Sequence, residues 1–123
     1  MKFARWVFLI GSIWGFLVLT PMFFLADRVG IDTPPPLTHL EFYYGFAAAA
    51  LVFQVMFAVI SRDPIRYRPL MLVAVLEKFS FGAVVFTLVA TAGLRGTTVF
   101  FSAADLLLGV LFLISYLRTS ARA

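Results

Sequence analysis

Four long apolar runs separated by short polar breaks make up nearly the whole chain; they cover residues 6–26, 39–61, 70–93 and 98–117. A bilayer core about 30 Å thick is crossed by about 20 helical residues, so each run is long enough to span it. The breaks carry helix-boundary chemistry. Pro34-Pro35-Pro36 makes the first connection stiff and extended. Thr38 and Glu41 have capping-box spacing: the Thr hydroxyl accepts from an early backbone amide while the Glu reaches back to the cap amide. Asp63-Pro64 stops the second run, Pro69 suits the first turn of the third, and Gly93 suits a left-handed end to it. Pro21 falls near the far end of the first run, where a kink is tolerated.

Lys2 and Arg5 give the first run the look of a signal peptide. It is longer than an apolar signal core of about 7–15 residues, and no clean small-x-small cleavage site follows, so the reading is a retained helix. Short turns make successive spans antiparallel neighbours. The expected fold is all-α: a membrane-spanning up-and-down four-helix bundle, forming one domain over residues 1–123.

Composition strengthens this picture. The chain is 63% hydrophobic and 13% charged, against roughly 45–50% and about 25% for a globular domain. Its mean hydropathy is +1.02. The absence of cysteine excludes disulfides and thiol chemistry. The net charge of +4 comes from residues flanking the apolar runs, so no nucleic-acid partner is expected. Lys2, Arg5, Arg62, Arg66, Arg68, Arg118 and Arg122 fall on one side, and Arg28 and Arg95 on the other. That asymmetry predicts that both termini are cytoplasmic, in a bacterial inner membrane. Trp6, Tyr67 and Tyr116 then mark the inner boundary, and Tyr43 and Tyr44 the outer one.

Candidate chemistry is confined to four polar residues inside the spans: Gln54, Glu77, Lys78 and Asp105. At about 1.5 Å of rise per residue they lie at roughly 10, 12, 13–14 and 18 Å from the inner ends, so they share one central layer. A buried charge costs about 2.5–3.5 kcal/mol on insertion scales, which favours facing all four inward. Lys78 and Asp105 form the natural ion pair. Glu77 is about 100° round the helix from Lys78 and is not expected to meet it head on. Gln54 is placed to donate to either acid. With two acids against one Lys, Glu77 is the unbalanced charge. Either burial keeps it protonated, or Arg66 or Arg68 reaches up to it. The layer fixes helix register and pairing in one reading, and Glu77 is a protonatable site in a coupled process in the other.

Other features carry less. His39 beside Glu41 supplies too few ligands for a metal or haem site, and no metal is expected. Gly11 and Gly15 form a GxxxG, and Gly45-Phe46-Ala47-Ala48-Ala49-Ala50 is a smooth patch. Both allow close helix approach, within the bundle or in a homodimer. The phenylalanines read as core or lipid-facing bulk. No phosphate loop, nucleophilic set or metal cluster is present in the sequence.

With its length, four spans, the entry EFYYGFAAAA to the second span and the final span DLLLGVLFLISYLRTS, the chain resembles the DoxX-like group of small four-helix bacterial membrane proteins. The run DPIRYRPLMLVAVLEKFSFG resembles a smaller set within it. Some members of that group are associated with quinol-linked oxidoreductase complexes. The resemblance implies a non-enzymatic membrane subunit with a membrane-protein partner, and admits a bound quinone or lipid. Two alternatives stand beside it. One is a small proton- or cation-coupled transporter using Glu77, though an acid in the first span, as in small multidrug pumps, is missing. The other is a membrane enzyme using Glu77, Lys78 and Asp105 on a lipid-like substrate.

Overall fold

The computed structural model describes residues 2–25, 28, 38–94 and 96–119. Four helices account for nearly all of them. α1 (Lys2–Leu19) continues into a 3-10 turn at Thr20–Phe23; α2 is Leu40–Arg62, α3 is Arg68–Ala92 and α4 is Thr97–Arg118. Each is long and apolar enough to cross a membrane, and the described residues contain no strand. The Pro34–Pro36 connection lies outside the described residues, as does Arg95.

Local chemistry explains most of the ends. Pro21 has no amide to donate, and α1 tightens into its 3-10 turn there. The Tyr43 hydroxyl donates to the Met22 carbonyl at 2.7 Å, and Phe23 stacks on Tyr44 at 5.7 Å. These two contacts pin the end of α1 to the start of α2. Pro69 sits in the first turn of α3. Gly93 ends that helix at φ 68°, and the amides of Gly93 and Leu94 both donate to the Leu88 carbonyl.

The capping box does not form. His39 is the N-cap of α2 and makes no side-chain cap bond. Thr38 therefore falls outside the helix, and Glu41 is one position too early to reach back to the cap amide. Glu41 instead lies exposed, 4.0 Å from the His39 ring.

The helices pack as two pairs. α1 lies along α2 and α3 along α4; α1 also meets α4, whereas α2 and α3 touch over a short stretch. Glycines set the closest approaches. Gly11 faces Phe112, Gly15 faces Gln54, Gly82 faces Leu106, and Gly109 faces Lys78 and Phe79. Both glycines of the GxxxG are thus used inside the bundle, against two different helices. In the alanine patch only Ala47 and Ala50 turn inward.

The buried hydrophobic cluster lies towards the end that carries Lys2, Arg62, Arg68 and Arg118, here the terminal end. Phe8 and Phe112 stack at 4.2 Å, and Phe57 meets both edge-on at 6.1 and 4.9 Å. All three rings are fully buried, together with Ile60, Met71 and Ala74. On the helical rise this layer lies about 8–9 Å from the terminal end. Below it, Arg68 Nε donates to the Tyr116 and Thr119 carbonyls at 3.2 and 2.8 Å, closing the C-terminus of α4. The Arg68 guanidinium also lies 3.7 Å from the Tyr116 ring centre. The outer faces carry large apolar side chains such as Leu17, Phe42, Val52, Leu76 and Leu117.

Candidate functional site

Immediately above the phenylalanine layer, α3 and α4 bring three charges together. Lys78 Nζ donates to Asp105 Oδ1 at 3.2 Å, the pairing the sequence predicts. The same ammonium lies 3.7 Å from Glu77 Oε1, which corrects the expectation that these neighbours do not meet. The physical reason is reach: the side-chain stems bend towards a common interior point although their Cβ atoms diverge by about 100°. One cation is therefore shared by two carboxylates. Neither arginine proposed to balance Glu77 does so. Arg68 is committed to the α4 C-terminus, and the Arg66 guanidinium lies over the Tyr67 ring at 5.5 Å.

Gln54 is close by but is not joined to the acids. Its Nε2 donates to the Ala50 carbonyl of its own helix at 2.9 Å. Its backbone carbonyl accepts from Ser12 Oγ at 2.8 Å, tying α1 to α2. The Gln54 Oε1 is buried with no hydrogen-bond partner among the described residues, and the same is true of Glu77 Oε1. The space for the Gln54 side chain exists because position 15 has no Cβ; one there would overlap Gln54 Oε1.

These four residues form the floor of a cavity of about 310 Å³ between the two helix pairs. Its walls include Trp14 and Val18 of α1, Phe46 and Ala50 of α2, Phe81 of α3 and Phe101 of α4. Met22, Thr97 and Thr98 line it at the distal end. Counting the helical rise, the cavity extends from about 12 Å to about 30 Å above the terminal end. The Phe8, Phe57 and Phe112 rings fill the space below it, and Lys78 Nζ lies 5.3 Å from the Phe57 ring centre. The site is thus an apolar pocket with a charged floor, backed by an aromatic layer.

The charges are not presented equally. The Lys78 side chain is 3% exposed, while those of Glu77 and Asp105 are 16% and 19% exposed. The cation is the most enclosed of the three. Lys78 partly neutralises both acids, and Glu77 Oε1 is itself buried. Among the described residues, no group of three or more His, Cys, Asp or Glu side chains is placed to hold a metal ion.

All four sequence-derived candidates line this one cavity. Its aromatic walls did not stand out in the sequence, although a signal for them exists. Phe81 lies one helical turn beyond Glu77, Phe101 one turn beyond Asp105, and Phe46 two turns beyond Gln54, each towards the distal end. Residues four apart share a helix face, so each polar residue has an aromatic on its own face.

No known protein family, curated protein or solved structure matches this chain.

Proposed function

We propose that the chain is an integral membrane protein with both termini cytoplasmic, and that it binds an amphipathic small molecule in the distal half of the bundle as a non-enzymatic subunit or accessory protein. Insertion is supported by four apolar helices whose outward faces carry Leu, Val, Phe and Trp side chains. The orientation rests on the excess of Lys and Arg at the terminal end. With that orientation the cavity lies in the outer half of the bundle, and a bacterial inner membrane is the natural setting.

One observation carries the binding function: a cavity of about 310 Å³ with apolar and aromatic walls and charged groups at one end only. Small-molecule sites have this character, largely apolar with a few polar groups that fix orientation. A lipid or a quinone headgroup matches that polarity, in keeping with the resemblance to DoxX-like proteins and their redox partners. Binding is favoured over transport because the Phe8, Phe57 and Phe112 layer backs the floor. A transported solute would have to displace three fully buried rings.

Extraction in mild detergent followed by native mass spectrometry tests this. The account expects a small amphipathic molecule bound to the wild-type chain and lost from Ala50→Trp, which fills the cavity. A wild-type chain that carries no such molecule, and takes none up from a lipid extract, would contradict it.

A further inference from the structure

The chemistry of the cavity floor selects among amphipathic ligands, and this inference rests on the binding function proposed above. With Glu77 and Asp105 ionised, the floor holds two negative charges against one positive charge. Its hydrogen-bonding inventory is also lopsided. Lys78 is the one charged donor among Gln54, Glu77, Lys78 and Asp105, and it is already engaged by Asp105 with Glu77 at 3.7 Å. The Gln54 amide nitrogen is engaged by the Ala50 carbonyl. On the acceptor side, Gln54 Oε1 is buried without a hydrogen-bond partner among the described residues, and Glu77 Oε1 has only its 3.7 Å ion-pair contact with Lys78. Gln54 itself is 1% exposed, so bulk solvent cannot satisfy it. A buried acceptor left unpaired is costly. The floor therefore lacks donors and positive charge.

The walls point the same way. Trp14 faces Phe101 at 6.1 Å, and Phe46 stacks on Phe81 at 5.6 Å. Aromatic faces attract a cation held within about 6 Å of the ring centre. Lys78 is nearly fully buried, whereas the Glu77 and Asp105 side chains keep some exposed surface, and all three line the cavity.

We infer that the cavity binds a lipophilic ammonium ion: a protonated amine on an apolar or aromatic body, its N–H groups donating to Glu77 and Asp105 and its body lying among Trp14, Phe46, Phe81 and Phe101. The bound cation brings the floor to neutrality, which removes the cost of an uncompensated charge within hydrocarbon. It supplies the donors that the floor lacks. A neutral body with only acceptor oxygens, such as a quinone, leaves Glu77 and Asp105 sharing one cation.

Equilibrium dialysis of the full chain in detergent micelles tests this with two probes of one skeleton, phenylpropylamine and phenylpropanol. Binding of each is corrected for uptake by protein-free micelles. The amine is expected to bind the wild type at least about tenfold more tightly than the alcohol, the ratio set by one charge-assisted hydrogen bond. Glu77→Gln is expected to lose most of that preference. Ser80→Ala, an exposed neighbour on α3, is expected to keep it. Equal binding of the two probes to the wild type overturns the ammonium inference and leaves the cavity a binding site for neutral amphiphiles. Failure of both probes to bind also overturns it; a lipid found on the wild-type chain by native mass spectrometry would then show that the binding function itself survives. The comparison on the wild type decides the matter even if Glu77→Gln does not fold.

Discussion

Lys78 Nζ sits 3.2 Å from Asp105 Oδ1 on the neighbouring helix, with the Glu77 carboxylate 3.7 Å away on its other side. The pair crosses the α3–α4 seam where Gly109 lets the Lys78 stem approach. Removing the cation leaves two carboxylates facing each other in an apolar interior. Lys78→Met is expected to destabilise the folded chain by about 3–5 kcal/mol, the scale for breaking a buried ion pair from one side. Asp105→Asn is expected to cost less, because Lys78 retains Glu77. Unfolding in mixed detergent micelles, followed by circular dichroism, measures both. A Lys78→Met chain as stable as wild type would show that the cluster is not held as a charged unit.

Gly15 and Gln54 form a second coupled pair. A Cβ at position 15 would overlap the Gln54 amide, so Gly15→Ala is expected to cost about 1–3 kcal/mol, as overpacking does. Gln54→Ala vacates that space. The double variant is expected to be less destabilised than the sum of the two singles, and a double-mutant cycle reads the difference.

The ends of the helices were more legible in the sequence than the interior of the bundle. Four apolar runs, Pro21, Pro69 and Gly93 announce where helices form and stop, because each acts through its own backbone. The Lys78–Asp105 pair could be read from helical rise alone. Three details could not. Glu77 joins Lys78 because long side chains bend, which Cβ directions do not reveal. Gln54 turns to its own backbone, in space that Gly15 leaves open by having no Cβ. The capping box fails by one residue of register, and pattern matching does not resolve single residues at helix ends. Phe46, Phe81 and Phe101 of the cavity walls were hidden because the chain holds 15 Phe, so these three look like the rest.

Two glycines distinguish backbone need from free space. Gly93 has φ 68°, where an L side chain is strained, and Gly93→Ala is expected to destabilise by about 1–2 kcal/mol. Gly45 lies inside α2, and a Cβ there meets nothing within 4 Å. Gly45→Ala is expected to be neutral or to gain up to about 1 kcal/mol of helix propensity. Thermal unfolding of the two variants in one detergent compares them directly.

Phe112 stacks on Phe8 and meets Phe57 edge-on, and it also faces Gly11. Phe112→Ala is expected to cost about 3–5 kcal/mol through the void it leaves. Phe112→Leu is expected to cost less. Equal stability of Phe112→Ala and wild type would show that the layer is not tightly packed.

The central claim is a pocket in the distal, outer half of the bundle, reached from the outer side and backed by the aromatic layer on the cytoplasmic side. The chain contains no cysteine, so single-cysteine variants report without background. Ala50 lines the pocket beside Gln54, Thr98 lies at its distal end, and Ile60 is buried in the terminal half. The most direct measurement is the rate at which Thr98→Cys, Ala50→Cys and Ile60→Cys react with a small, membrane-impermeant methanethiosulfonate in right-side-out and inverted vesicles. The account predicts reaction at positions 98 and 50 from the outer side only, and no reaction at position 60 from either side. Labelling of Ala50→Cys from the cytoplasmic side, or from neither side, would contradict it.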